Sequence, residues 1–309
     1  MTVPVLIDCD PGHDDAIALL LALASPEVDV LGVTTVCGNS TLDKTTANAI
    51  RVLEFVDRGD VPVAAGADRP LVREAFIAAY VHGESGMDGP ELPPPQGQPI
   101  AAHAVDFLAE RILASPEPVT LVPIGPLTNV ALLLARHPEA AQRLDRIVLM
   151  GGAIAEGNMT PAAEFNIWAD PEAAARVFES GLDVTMIGLD VTHKALLTPA
   201  HSERLRAQGR TGTMVADLVD FFSRFHRATY DFDGAPIHDA VAVAEVIRPG
   251  LVTTLPRHVA VERQSDLCRG RTVVDLWRRT GQEPNASVGV DVDADAFLEL
   301  LLERLGSFP

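Results

Sequence analysis

Cysteine is scarce in this chain: Cys9, Cys37 and Cys268 are all there is in 309 residues. An odd and widely spaced trio supplies neither a disulfide framework nor the paired spacing of a zinc site. Cys9 and Cys37 end apolar runs and read as small apolar residues. No apolar run is long enough to span a bilayer. Positive charge is also short, with 24 Lys and Arg against 43 Asp and Glu and a net charge of −19. A surface so acidic repels the phosphates of DNA, RNA and anionic membranes. The expected partner is therefore a neutral or cationic small molecule, with no nucleic acid polymer and no membrane. No basic segment followed by an apolar one precedes the first strand-like run at Val3, so a cytoplasmic protein is expected. Repeats, charge blocks and low-complexity linkers are missing too, which leaves a single domain over residues 1–309 as the expectation.

What remains is rich in core material, 47% hydrophobic and 22% charged, enough for a large folded core. Strand-like and helix-like runs alternate. Val3–Ile7 reads as a strand, and Ile17, Leu20, Leu21 and Ala24 then fall on one helical face before Pro26. Val28–Val36, Val61–Ala65, Val119–Ile124, Ile147–Met150 and Val184–Leu189 read as further strands. Thr45–Val56, Ala101–Ala114, Leu127–Ala135 and Pro171–Glu179 read as helices. The pattern is helical from Pro199 to about Tyr230, β segments are expected between Leu255 and Val292, and a last helix is expected over Ala294–Leu305. Pro70–Pro99 and Ala153–Ala163 read as loops, and loops that long are usually functional or disordered. The fold class is thus α/β: an open, mostly parallel, Rossmann-like sheet flanked by helices, with additional C-terminal β segments and helices.

The densest chemistry is Asp8-Cys9-Asp10-Pro11-Gly12-His13-Asp14-Asp15. Four carboxylates sit at the C-terminal end of the first strand, where open α/β sheets bind ligands. Crowded carboxylates raise one another's pKa values, and a cation removes that penalty. A set of oxygen donors without Cys or His favours a hard ion, Ca²⁺ or Mg²⁺. The competing reading is that these acids cap the helix starting near Asp14; four is more than capping needs. A second acid stands far off in Pro236-Ile237-His238-Asp239-Ala240, where another helix starts. Taken alone, that pair reads equally as a cap and as a site.

Together these residues resemble the inosine–uridine-preferring nucleoside hydrolases. The resemblance begins at Asp8–Asp15 and continues through Cys37-Gly38-Asn39, His82–Gly89 and Gly125-Pro126-Leu127-Thr128-Asn129. It runs on through Met150–Ala153, Glu164–Pro171, Gly188–Thr192 and His238-Asp239, in family order over nearly the whole chain. It implies one Ca²⁺ held by Asp10, Asp15, Asp239 and the main-chain carbonyl of Ile124. It implies ribose contacts from Asp14, Asn39, Asn158, Glu164 and Asn166, with Met150 packed near the sugar and His82 and His238 on the base side. It also implies a homodimer or homotetramer.

Cleaving an N-glycosidic bond requires that charge on the sugar be stabilised, that water attack C1′, and that the departing base be neutralised. In this scheme Ca²⁺ would orient the sugar and a water, and Asp10 would accept the water's proton. Direct attack by one water predicts inversion at C1′. His238 is the first candidate to protonate the base and His82 the second, with a purely hydrogen-bonding His82 as the alternative. Tyr230 could contact the base, although an aromatic at helical spacing is more often core, and the core reading is favoured. His82–Pro90 and Thr160–Asn166 are most similar to bacterial enzymes that prefer uridine and cytidine; a purine-preferring or broad enzyme is the alternative.

Two other classes compete. A haloacid-dehalogenase-type phosphatase also places DxD after its first strand, but it needs a later lysine, which is scarce here, and gives Asp14-Asp15 no role. A non-catalytic ribose-binding protein would be expected to lack Asp10, Asn166 or Asp239, and all three are present.

Overall fold

The computed structural model describes residues 2–308. Its twelve strands in chain order are β1 (Val3–Cys9), β2 (Val28–Thr35), β3 (Val63–Ala65), β4 (Val119–Pro123), β5 (Leu144–Met150) and β6 (Val184–Ile187), then β7 (Leu196–Leu197), β8 (Ala235–Pro236), β9 (Val252–Arg257), β10 (Val259–Val261), β11 (Thr272–Val274) and β12 (Ala286–Val292). Eight form the main sheet in the order β3-β2-β1-β4-β5-β6-β12-β9. All neighbours are parallel except β9, which runs antiparallel to β12 at the edge. The α/β, mostly parallel expectation therefore holds.

β1 lies in the interior of the sheet, with apolar side chains on both faces. Val5, Ile7 and Cys9 enter the core built around the helix His13–Leu23, and Leu6 enters the opposite core with Phe107 and Leu121. Side chains alternate across a strand, so one short run feeds two layers. The helix after β1 is buried almost all round, with Ala16 to Ala22 at 0–2% exposure.

The sheet order reverses between β1, which leads to β2, and β4, which leads to β5. Loops leaving the C-terminal ends of these two strands diverge and open a crevice, the usual ligand position of such sheets.

The helical pattern from Pro199 to about Tyr230 is met by two helices, Pro199–Arg206 and Arg210–Tyr230. The break falls at Gly209, whose φ of 100° is a left-handed conformation that interrupts the helix. The strand expected over Val184–Leu189 ends at Ile187, and Leu189–Thr192 is a helical turn. The loop after Pro70 contains a short helix, Ala79–His82. Of the C-terminal β segments, only β9 and β12 join the main sheet; β10 and β11 pair with each other. No helix among the described residues is long and apolar enough to cross a membrane.

Candidate active site

Asp10, Pro11 and Gly12 carry the chain from β1 into the helix His13–Leu23. Asp15 is partly a cap, as the competing reading held. Its carboxylate accepts from the main-chain amides of Asp10 (3.1 Å) and Gly12 (2.9 Å) and from Asn39 Nδ2 (3.0 Å). Asp10 Oδ2 accepts from the Asn39 amide at 2.7 Å, while Oδ1 is buried without a protein partner. Two glycines make room for that carboxylate: a Cβ on Gly38 would lie 2.1 Å from Oδ2, and one on Gly125 2.5 Å from Oδ1.

Asp239 arrives from the other side of the fold at the start of the helix His238–Ile247. It brings a carboxylate oxygen within 4.8 Å of those of Asp14 and Asp15, all three being buried. Asp10 adjoins this group through Asp15 but is not one of the three that meet. Burial pushes Asp10, Asp14 and Asp239 well above the usual carboxylate range, reinforced by repulsion from neighbouring carboxylates, and raises Asp15 as well. None of the four takes part in an ion pair among the described residues. An unpartnered oxygen, several mutually repelling acids and donors that are all oxygen fit a hard divalent cation.

The next wall comes from the ends of β4 and β5. Asn166 Nδ2 donates to the carbonyls of Ile124 (2.9 Å) and Met150 (3.1 Å) and so ties the two strand ends together. Glu164 precedes Asn166 as the cap of the helix Phe165–Ala169. It accepts from the amides of Asn166 (2.8 Å), Gly152 (2.9 Å) and Ile167 (3.1 Å). Burial nevertheless raises its pKa to about 7. Asn158 Oδ1 accepts from the amide of Phe165 at 2.8 Å.

These groups border one cleft, partly open to solvent. Asp14, Asn39, His82, Ile124, Met150, Asn158, Glu164, Asn166, Tyr230, His238 and Asp239 all line it; Asp10 and Asp15 lie behind it.

Comparison with known proteins identifies the family. The family model of the inosine-uridine preferring nucleoside hydrolases matches residues 5–299. The chain belongs to the inosine-uridine preferring nucleoside hydrolase family. It is 54% identical to the pyrimidine-specific ribonucleoside hydrolase RihA of Citrobacter koseri over 310 residues, covering 100% of this chain and 99% of that one. It is also 54% identical to the protein of the same name from Escherichia coli, over 99% of both chains. Among solved structures, the purine-preferring ribonucleoside hydrolase from Gardnerella vaginalis superposes with a TM-score of 0.93 at 34% identity, covering 99% of this chain and 98% of that one. A plant nucleoside hydrolase gives 0.91 at 35% identity, over 99% and 100%.

The far end of the nucleoside hydrolase cleft holds residues that the motifs did not single out. His193 lies beyond the turn Leu189–Thr192, and Phe222 and His226 come from the helix Arg210–Tyr230; all three line the cleft. Phe222, His226 and Tyr230 are four residues apart and share one helical stripe, a spacing visible in the sequence. The core expectation for Tyr230 is corrected: its ring is half-buried at the cleft, stacked on His226 with centroids 5.9 Å apart, and its hydroxyl donates to the Asn158 carbonyl at 3.4 Å. The helix ends here, at left-handed Asp231, leaving the last ring beside the opening. Burial lowers the pKa of His82 and His238 well below the imidazole range and that of His226 to about 4, so the histidines of this end are neutral. Thr192 Oγ1 engages His238 Nδ1 at 2.7 Å.

Proposed function

We propose that this nucleoside hydrolase cleaves pyrimidine ribonucleosides, uridine and cytidine, to free base and ribose with Ca²⁺ as its ion. One observation carries the chemistry: Asp14, Asp15 and Asp239, from opposite sides of the fold, meet within 4.8 Å at the edge of a cleft that Asn39, Glu164 and Asn166 also line. The pyrimidine preference rests on the full-length likeness at 54% identity to relatives named pyrimidine-specific. The purine-preferring structural neighbour stands at 34%.

In this reading Asp10, Asp15, Asp239 and the Ile124 carbonyl hold the ion, and the whole chain acts as one catalytic domain. When bound, the ion supplies positive charge that orients a water and the sugar diol and makes that water easier to deprotonate. Asp14 faces the cleft and takes a ribose hydroxyl together with Asn39 and Asn166. Glu164 and Asn158 hold the rest of the sugar, and Met150 packs beneath it. Asp10, set back from the cleft with an oxygen free, accepts the proton of the attacking water. The acids around the sugar favour its oxocarbenium-like transition state, and attack from one face inverts C1′. His238 meets the departing base; in this reading Thr192 Oγ1 donates to its Nδ1, so that Nε2 carries the hydrogen and donates it to the negative charge developing on the base.

The test is a reducing-sugar assay on uridine, cytidine, inosine and adenosine, before and after chelation and with Ca²⁺ or Mg²⁺ restored. Uridine and cytidine should lead, chelation should abolish turnover, and Ca²⁺ should restore it. A large inosine preference would overturn the base assignment, and chelator-resistant turnover the ion.

A further inference from the structure

His13 belongs to the aspartate motif, yet the reaction as derived gives it no role. Its ring is fully buried between Phe221 and Phe222, with centroids 5.1 and 5.2 Å away and planes within 9° of parallel. Both nitrogens are engaged: Nε2 lies 2.7 Å from the main-chain carbonyl of Asp88, and Nδ1 lies 3.0 Å from Nδ1 of His82. A carbonyl can only accept, so His13 Nε2 carries the hydrogen. A ring buried between two phenyl faces is held neutral, so His13 Nδ1 is an acceptor. The one hydrogen between the two rings then belongs to His82, on Nδ1. A neutral His82 protonated there has a bare Nε2, which no hydrogen bond among the described residues reaches and which is left for the cleft that His82 lines.

We infer that His13 is a positioning residue that fixes the tautomer of His82, so that His82 meets the nucleoside as a hydrogen-bond acceptor at Nε2 and not as the proton donor to the leaving base. The ligand feature it takes is an N–H or O–H of the nucleoside; this step rests on the cleft being the nucleoside site. The relay starts at a rigid point. The Asp88 side chain is gripped by the Glu84 amide (3.1 Å) and by the Ser85 amide and hydroxyl, which fixes the carbonyl that orients His13. Which ring nitrogen carries the hydrogen is set by the bond the other nitrogen makes, and here that choice passes through two rings from one peptide group. The inference also divides labour at the base: His82 accepts and His238 donates.

The direct test is long-range ¹H–¹⁵N NMR of the metal-loaded wild-type enzyme at neutral pH, with His82 assigned by its loss in His82→Gln. We expect Nδ1 protonated and Nε2 bare. An Nε2-protonated or doubly protonated His82 overturns the inference, whether or not the enzyme hydrolyses uridine, so its failure is separable from that of the proposed reaction. His13→Phe keeps the aromatic stack and deletes the acceptor. His82 should then show a mixture of tautomers, and kcat/KM for uridine should fall about tenfold, the value of one hydrogen bond, through KM and with kcat moving far less. His13→Asn places Oδ1 where Nδ1 stood and should recover part of that loss. A loss confined to kcat, or equal for the two variants, overturns the positioning role.

Discussion

The Asn39 amide donates to Asp10 Oδ2 at 2.7 Å, and the other oxygen of the same carboxylate is buried with no partner. One oxygen is thereby held in place while the other stays available for a proton or an ion. Asp10→Asn preserves the shape but removes the proposed proton acceptor. Its kcat should fall by roughly 10²–10⁴, the usual contribution of a general base, while much of the Ca²⁺ affinity measured by calorimetry remains, because Asp15 and Asp239 are intact. Near-normal kcat would remove Asp10 from the role of base.

Gly125 has a consequence of the same geometry. Its Cβ would lie 2.5 Å from Asp10 Oδ1, closer than real Cβ contacts, and a tight 3.1 Å from the Asp10 amide nitrogen, so Gly125→Ala must displace the carboxylate or the turn. Overpacking of this kind costs about 1–3 kcal/mol. Denaturant midpoints and kcat for uridine should both drop, and kcat should drop further than the lost stability explains. A variant with unchanged kcat would mean that Asp10 can move without harm to the reaction.

The sequence made the frame legible because each of its signals is local. Val3–Ile7 and the helical face after it identify β1 and its helix, and a strand-to-helix turn carrying four acids marks the ligand end of the sheet. Less legible was which acids would meet. Asp14 and Asp15 are neighbours on a helix and point about 100° apart, so one reaches the cleft and the other turns back to cap its own turn at Gly12 and Asp10. That division depends on the turn's dihedral angles, which composition does not record. The histidine end was hidden for another reason: His13, His82, His193 and His226 come from four separate segments, and a histidine or aromatic on a helical stripe reads the same whether the stripe faces core or cleft. The spacing of Tyr230 therefore favours the core. The division of the helical segment after Pro199 into two helices is not legible, because Gly209 weakens a helical pattern without announcing that φ is positive there.

His226 predicts acid lability. Burial lowers its pKa from an ordinary value near 6.5 to about 4, so in the folded enzyme the ring stays neutral where the unfolded chain already binds a proton. Between about pH 6.5 and pH 4 the unfolded state therefore holds more protons, and stability falls as pH falls, by at most about 1.4 kcal/mol per pH unit from this one group. Above pH 6.5 the two states match and the slope vanishes. His226→Gln removes this contribution. Urea midpoints at pH 7 and pH 5 should differ less in that variant than in the wild type, and parallel pH profiles would show that His226 is solvated more freely than its packing against Phe222 implies.

His238 is the residue through which leaving-group chemistry can be read. It lines the cleft, its Nδ1 is engaged by Thr192 at 2.7 Å, and burial keeps it neutral. A neutral imidazole helps by donating its hydrogen as charge builds on the base, and that help matters in proportion to how poor the leaving group is. Uracil departs badly without it; p-nitrophenolate needs little. His238→Ala should therefore lower kcat/KM on uridine by roughly 10²–10⁴ and on p-nitrophenyl riboside by far less. Thr192→Val, which removes the hydroxyl that orients the ring, should show the same ordering with smaller losses. If both substrates lose equally in His238→Ala, the residue holds the sugar or shapes the cleft, and the proton for the base must come from another group.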